Sequence, residues 1–280
     1  MKIDKSIKNL IKQALREDIG KGDITTTALI PHGLKAYAVI IAKQNGVIAG
    51  LDIAREVFVQ LDRDIKFKAF VRDGDKVKAG KKIAGITGSA KAILTAERTA
   101  LNFLGHLSGV ATLTRQFVDR IKPYKARILD TRKTMPGLRI AEKYAVKCGG
   151  GKNHRMGLWD EALIKDNHIS AAGKGSLEKL IKYAKKRIPK NMPIEIEVKS
   201  LAEFKGALKA APGVIMLDNM SISQIKRAVV ARGASKTLLE VSGGINLANV
   251  RRIARAGVDR ISVGSLTHSA PALDLSLKII

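Results

Sequence analysis

Ile194-Glu195-Ile196-Glu197-Val198, Val214-Ile215-Met216-Leu217-Asp218-Asn219, Leu238-Leu239-Glu240-Val241-Ser242-Gly243-Gly244 and Arg260-Ile261-Ser262-Val263-Gly264-Ser265 are four short apolar runs, each followed by polar or glycine residues. Between them, Leu201–Ala210, Ser221–Ala231 and Leu247–Ala256 carry apolar residues at helical spacing. Arg127–Leu129 and Ala162–Ile164 read as two earlier strands, and Ser176–Arg187 as an earlier helix. Strand-then-helix repetition predicts a parallel sheet, because a parallel partner is reached only through a crossover. About six such units in roughly 150 residues predict closure into a barrel.

The chain before Pro123 has a different rhythm. Ile3, Ile7, Leu10, Ile11, Ala14 and Leu15 place residues 3–17 on an amphipathic helix. Asp23-Ile24-Thr25-Thr26 reads as a turn into an extended segment. Lys35–Lys43 reads as a strand, Asn45-Gly46 as a turn, and Val47-Ile48-Ala49 as the resumption of the sheet. Leu51–Leu61 reads as a helix and Ile65–Val71 as a strand. The turn-rich stretch Arg72–Ile86 has the pattern of a lipoyl- or biotinyl-carrier hairpin. Its lysines are scattered instead of set at one tip, so a small β-structure is expected. Ala90–Leu107 and Ala111–Ile121 read as two helices around Gly109, which places a domain break there: residues 1–108 and 109–280.

Composition sets the outer bounds. The 280 residues are ample for a buried core, and no apolar run approaches the length that spans a bilayer. Met1–Asp18 is charged and amphipathic, unlike a signal peptide. The single cysteine, Cys148, excludes an intramolecular disulfide and suits a reducing compartment, so a cytoplasmic protein is expected. Fifty-one basic against 25 acidic residues give +26, the charge of many nucleic-acid binders. Both halves of the chain share the surplus, however, and aromatics are only 4%, which leaves few platforms for base stacking. Neither nucleic acid nor membrane is an expected partner.

In a barrel, function gathers where the strands end. The first strand leads into Thr131-Arg132-Lys133 and the second into Lys165-Asp166-Asn167-His168; Gly149-Gly150-Gly151-Lys152-Asn153-His154-Arg155 lies between them. Arg132, Arg155 and Lys165 suit carboxylates or phosphates, arginine by its fork and lysine as a point charge. Glu195 and Glu197 share one strand face, opposite Ile196 and Val198. Glu197 and Asp218 suit Mg²⁺ or sugar hydroxyls. Ser242-Gly243-Gly244 and Gly264-Ser265 would let backbone N–H groups approach a phosphate. A single cation after a strand is ordinary surface; six successive strand ends with complementary polar groups are a site. Two histidines without a cysteine or third histidine at ligand spacing do not make a zinc site, so His154 is read as a substrate contact and His168 as structural.

These residues also carry a resemblance. Asp130-Thr131-Arg132-Lys133-Thr134, Gly149–Leu158, Leu163-Ile164-Lys165-Asp166-Asn167-His168, Ala96–Asn102, Ile215–Asn219, Val241–Ile245 and Ile261–Gly264 resemble the quinolinate phosphoribosyltransferase family along essentially the whole chain. The resemblance implies an N-terminal α/β sandwich domain and a C-terminal incomplete α/β barrel of the TIM-like type, in a homodimer or homohexamer with a shared active site. It implies transfer of phosphoribose from phosphoribosyl pyrophosphate to quinolinate, yielding nicotinate mononucleotide, pyrophosphate and CO₂.

By position, it places Arg132, His154, Arg155 and Lys165 on quinolinate, with Arg98 reaching in from a neighbouring subunit. Lys133, Glu197 and Asp218 fall on phosphoribosyl pyrophosphate and its Mg²⁺. Ser242, Gly243, Gly264 and Ser265 fall on the 5′-phosphate, with Thr131, Gly244 and Val263 as further substrate-binding positions. Lys133, Lys165, Glu197 and Asp218 would be the catalytic set. Met135 and Gly244 depart from the residues most common there, without loss of charge. A related enzyme transferring phosphoribose or ribose to another acceptor, or a basic nucleic-acid-binding protein, is the alternative.

Overall fold

The computed structural model describes residues 1–280 apart from Lys2 and Lys174. In chain order the elements are α1 (Lys5–Ile19), α2 (Ile24–Leu29), β1 (Lys35–Ala42), β2 (Gly46–Val47), α3 (Leu51–Leu61), β3 (Lys66–Ala69), β4 (Lys76–Val77), β5 (Lys82–Ser89) and α4 (Ala90–Arg120). Then come β6 (Arg127–Leu129), α5 (Arg139–Cys148), β7 (Ala162–Ile164), α6 (Asp166–Ala171), α7 (Leu177–Arg187), β8 (Ile194–Val198) and α8 (Leu201–Leu208). The chain ends with β9 (Val214–Asp218), α9 (Ile222–Arg232), β10 (Leu238–Ser242), α10 (Val250–Arg255), β11 (Arg260–Ser262), α11 (Ser265–His268) and β12 (Leu275–Ile279).

Two compact units result. One comprises residues 1–115, 135–150 and 269–280, the other residues 116–134 and 151–268. The division expected at residue 108 thus falls inside α4, and the first unit also takes α5 and the C-terminal strand.

In the first unit an antiparallel sheet runs β12-β1-β5-β3. Ile7, Ile11 and Leu15 of α1 are buried, as are Ile53, Val57 and Phe58 of α3, the helix α1 packs on. Each such side chain contributes about 1.5–3 kcal/mol by leaving water. Three local expectations are corrected here. Asp23-Ile24-Thr25-Thr26 opens helix α2, because the Asp23 carboxylate accepts the Thr26 N–H at 2.9 Å and caps it. Gly46–Val47 leaves the main sheet and pairs with Lys76–Val77 as a separate two-stranded ribbon.

The third correction is the largest: the two helices expected around Gly109 are one helix of 31 residues. Gly105 and Gly109 are interior positions where the C-terminal segment crosses. A Cβ on Gly109 would collide with the Pro271 carbonyl, and the Leu273 N–H donates to the Gly105 carbonyl at 2.9 Å. Gly109 thus marks a close approach instead of a helix break, and Gly105 lies at the same crossing.

The second unit is the expected α/β barrel, and it is incomplete. Its six parallel strands run β6-β11-β10-β9-β8-β7, so β6 and β7 are the open edges. Lys152 adds a single parallel bridge to Leu129 on the β6 edge. Ser176, Ser200 and Ser221 cap α7, α8 and α9, each hydroxyl accepting a backbone N–H three residues on. Alternation sorts the strands. Ile196, Val198, Ile215, Leu217, Leu239 and Val241 are buried on one face, while Glu195, Glu197, Met216, Asp218, Glu240 and Ser242 occupy the other.

Candidate active site

The register of the parallel strands puts the functional side chains together. Glu197 pairs with Met216, Met216 with Glu240, and Asp218 with Ser242, so these residues share the inward face of β8, β9 and β10. At the C-terminal ends of the strands Glu197, Met216, Asp218 and Ser242 line a cavity of about 720 Å³, which Glu240 does not reach. Thirteen of the fifteen positions expected to bind substrate line it: Thr131, Arg132, Lys133, His154, Arg155, Lys165, Glu197, Asp218, Ser242, Gly243, Gly244, Gly264 and Ser265. Two do not. Val263 is fully buried, its N–H donating to the Leu129 carbonyl at 2.9 Å, so it holds β11 to β6 beneath the cavity. Arg98 lies exposed on α4, in the other unit, and does not line the cavity.

One wall is cationic. Burial and the neighbouring Arg132 guanidinium both push the Arg155 pKa down. Two guanidiniums that oppose each other's charge are stabilised by an anion between them. The Arg155 Nη1 donates to the Glu161 carbonyl at 3.0 Å, which fixes one side of its fork. Lys133 is held through its backbone: its N–H donates to the Thr131 hydroxyl at 3.0 Å, and its carbonyl accepts from the buried Thr267 hydroxyl at 2.7 Å. His168 does not line the cavity; its Nδ1 accepts the Lys165 N–H at 3.0 Å and ties down the start of α6.

The facing wall is acidic. Burial and the nearby Asp218 carboxylate push the Glu197 pKa up, while Lys165, with its Nζ 3.9 Å from Glu197 Oε2, pulls it back. Two neighbouring carboxylates in a half-buried site, with open cavity beside them, fit a hard divalent cation such as Mg²⁺. Asn219 follows Asp218 in the left-handed region, at φ 54°. Its amide donates to the Asp218 carboxylate at 3.0 Å, and a Cβ on Gly243 would occupy the space of the Asn219 side chain. Asn tolerates this backbone better than most residues, and that is the signal by which sequence could have singled it out. Gly243, at φ 91°, also needs glycine for its own backbone.

His154 differs from expectation in its surroundings. Its Nε2 lies 3.0 Å from Glu195 Oε2 and 3.5 Å from Glu240 Oε1, both on fully buried side chains. Its backbone N–H donates at 2.9 Å to Asp130, also fully buried. Burial opposes a charged ring, but Glu195 and Glu240 outweigh it and push the His154 pKa up to about 10. In its singly protonated form the ring keeps its proton on Nε2, because Nδ1 accepts the Arg155 N–H at 2.7 Å. Giving up that contact costs about 1 kcal/mol, which the two carboxylates offset. Asp130, Glu161, Glu195, Glu240 and Ser262 had no role assigned from sequence, since a charged residue inside a barrel is recognisable only once the strands are in register.

A parallel α/β barrel whose strand ends set cations against a carboxylate pair, with glycine turns alongside, defines an enzyme that handles small polyanionic phosphate substrates. The comparisons narrow the class. Residues 23–108 match the N-terminal domain model of quinolinate phosphoribosyl transferase, and residues 110–278 match its C-terminal domain model. The chain belongs to the quinolinate phosphoribosyltransferase family. It is 43% identical, over 293 residues, to a mitochondrial quinolinate phosphoribosyltransferase (decarboxylating) of Nicotiana tabacum, covering 98% of this chain and 82% of that protein. The solved nicotinate-nucleotide pyrophosphorylase of Francisella tularensis superposes with a TM-score of 0.92 at 42% identity, covering 100% of this chain and 98% of that one. That of Ehrlichia chaffeensis gives 0.93 at 41%, covering both chains fully.

Proposed function

We propose that this chain is a decarboxylating pentosyltransferase that converts quinolinate and phosphoribosyl pyrophosphate to nicotinate mononucleotide, pyrophosphate and CO₂, a step of NAD biosynthesis. The observation that carries this reading is the pairing, in one cavity, of a cationic wall with an acidic wall. Arg132, Arg155 and Lys165 with His154 suit the two carboxylates of the pyridine. Lys133, Glu197 and Asp218 suit the ribose, the pyrophosphate and a divalent cation. Ser242, Gly243, Gly244, Gly264 and Ser265 suit the 5′-phosphate, because their small side chains leave backbone N–H groups accessible.

Mg²⁺ held by Glu197 and Asp218 would neutralise charge on the pyrophosphate oxygens. The chain's own groups do the rest. Lys133 stabilises charge developing on the leaving pyrophosphate. The arginine pair orients the pyridine so that its nitrogen meets the anomeric carbon. The pyridinium formed then stabilises the electron pair left on the adjacent carbon as its carboxylate departs as CO₂, and a proton from solvent completes that C–H bond. The ring nitrogen is already a free nucleophile, so no general base is required.

We place the active form in a homo-oligomer, a dimer or hexamer, in which Arg98 of a neighbouring copy completes the acceptor subsite. The family resemblance and the exposure of Arg98 support this. The single thiol supports a cytoplasmic location. Among the described residues, no helix is long and apolar enough to cross a membrane.

The test is a single assay of quinolinate, phosphoribosyl pyrophosphate and Mg²⁺, scored for nicotinate mononucleotide and CO₂. Acceptance of nicotinate with no turnover of quinolinate would overturn the reading. Arg132→Ala is expected to weaken quinolinate use by about 2–5 kcal/mol, the cost of leaving a buried charge without its partner.

A further inference from the structure

A barrel interior is normally filled by layers of branched apolar side chains. Here the layer at the base of the cavity is ionic. Glu195, Glu240 and Ser262 are buried on inward strand faces, with Glu161 and His154 beside them. The Ser262 hydroxyl donates to Glu240 Oε1, and the Arg260 Nη1 lies 3.9 Å from Glu240 Oε2. Glu195 faces His154 Nε2 at 3.0 Å. Glu161 Oε2 stands 3.9 Å from Nδ1, the nitrogen that accepts the Arg155 N–H. His154 therefore has protein partners on both nitrogens and meets the cavity with the remainder of its ring.

We propose that Glu195 and Glu240 are positioning residues of the pyridine-dicarboxylate subsite, which hold the His154 ring from behind and, through it, the Arg155 backbone beside Arg132. The inference rests on the quinolinate reading of the cationic wall. A pocket that collects Arg132, Arg155, Lys165 and His154 repels itself before any dianion arrives, so buried acids behind it lower the cost of assembling that charge. His154 and Arg260 lie against different oxygens of Glu240, and neither Glu195 nor Glu240 lines the cavity, so the acids do not confront an incoming carboxylate directly. The same three groups, His154, Glu195 and Glu240, converge closely enough to be considered for a metal ion. Ser262 and Arg260 already supply Glu240 with a hydrogen bond and a positive charge, which favours the positioning role.

The arrangement acts on one substrate only. His154 and Arg155 belong to the cationic wall. Of the groups assigned to phosphoribosyl pyrophosphate, Glu197 shares β8 with Glu195 but lines the cavity; the others sit at the ends of β9, β10 and β11 and at Lys133 after β6. Loss of the buried acids thus changes acceptor binding selectively, which a loss of overall packing would not do.

The experiment measures KM for quinolinate and KM for phosphoribosyl pyrophosphate in wild type, Glu195→Gln, Glu240→Gln and Ser262→Ala. Each glutamine keeps the shape and removes the charge; Ser262→Ala leaves every charge in place and removes the hydrogen bond to Glu240. The expected result is a rise in the quinolinate KM of about tenfold or more in the glutamine variants, the usual scale for losing a group that orients a ligand-binding residue. The phosphoribosyl pyrophosphate KM should stay within about twofold, and Ser262→Ala should move the quinolinate KM in the same direction by less. Equal rises in both KM values, or a fall in kcat alone, would overturn the proposal. If Glu195→Gln does not fold, Glu240→Gln and Ser262→Ala decide by the same ratio. The wild-type arm separates the two readings: no turnover of quinolinate by wild type refutes the assigned reaction, whereas an unselective variant with an active wild type refutes only the positioning role.

Discussion

The Nζ of Lys165 stands 3.9 Å from Oε2 of Glu197, and across that gap the cationic and acidic walls of the cavity meet. Lys165 follows β7 and Glu197 lies on β8, adjacent strands of the parallel sheet. The lysine partly neutralises a carboxylate that burial and Asp218 would otherwise drive toward its protonated form. It also competes with any cation that the two acids hold.

Opposite changes follow from removing either partner. Glu197→Gln should raise the Mg²⁺ concentration for half-maximal rate by about tenfold or more, since one donor is lost. Lys165→Ala should lower that concentration modestly while raising the quinolinate KM. A Mg²⁺ titration at saturating substrates reads both; an unchanged requirement in Glu197→Gln would remove it from the proposed donor set.

Arg98 is exposed on α4, and in the proposed homo-oligomer it acts on the acceptor subsite of a neighbouring copy. Arg98→Ala chains and Lys165→Ala chains should each be nearly inactive alone. Mixed, they should recover a fraction of wild-type rate, because one site in a mixed dimer is intact. Absence of recovery in mixed oligomers verified by tag pull-down would rule out a trans contribution.

Gly109 sets helix propensity against packing. Propensity alone predicts that Gly109→Ala stabilises by about 0.8–1 kcal/mol in a helix interior. The new methyl would overlap the Pro271 carbonyl, however, and overpacking typically costs about 1–3 kcal/mol. Net destabilisation is expected by urea unfolding. A rise in the urea midpoint would show that residues 271–273 move aside freely.

Cys148 should be sluggish toward alkylation. Burial, then the Asp73 charge, pushes its thiol up to about 11. At pH 8 the reactive thiolate is therefore about a hundredfold scarcer than for a thiol at the ordinary value. For linkage, a pKa raised in the folded state contributes stability that is present below the unfolded value near 9 and is lost as pH rises through 11. Iodoacetamide labelling should be slow in buffer and fast in denaturant. Rapid labelling of the folded protein at pH 8 would contradict the burial of this thiol.

Period and punctuation carried much of this molecule in the sequence. Ile194–Val198, Leu201–Leu208, Val214–Asp218 and Ile222–Arg232 form because each run has one period and each helix a serine cap, and both signals are local. The polar residues after those runs were legible as a site for the same reason. What escaped was every feature set by chain segments far apart in sequence. Gly109 reads locally as a helix break, and only the crossing of residues 271–273 explains why the helix carries a glycine there. Residues 269–280 join the first unit because β12 finds its partner in β1, which lies more than 230 positions earlier. Glu195 reads in sequence only as sharing a strand face with Glu197, and Glu240 carries no local signal of a role.

Local patterning by itself determined that this chain makes a barrel with an anion-gripping rim. Only the tertiary register decided that two of its glutamates lie inside that barrel, behind His154. The physical reason is that a buried charge is tolerated only where its partners arrive, and those partners come from His154 before β7 and from Arg260 and Ser262 on β11, which no local pattern relates.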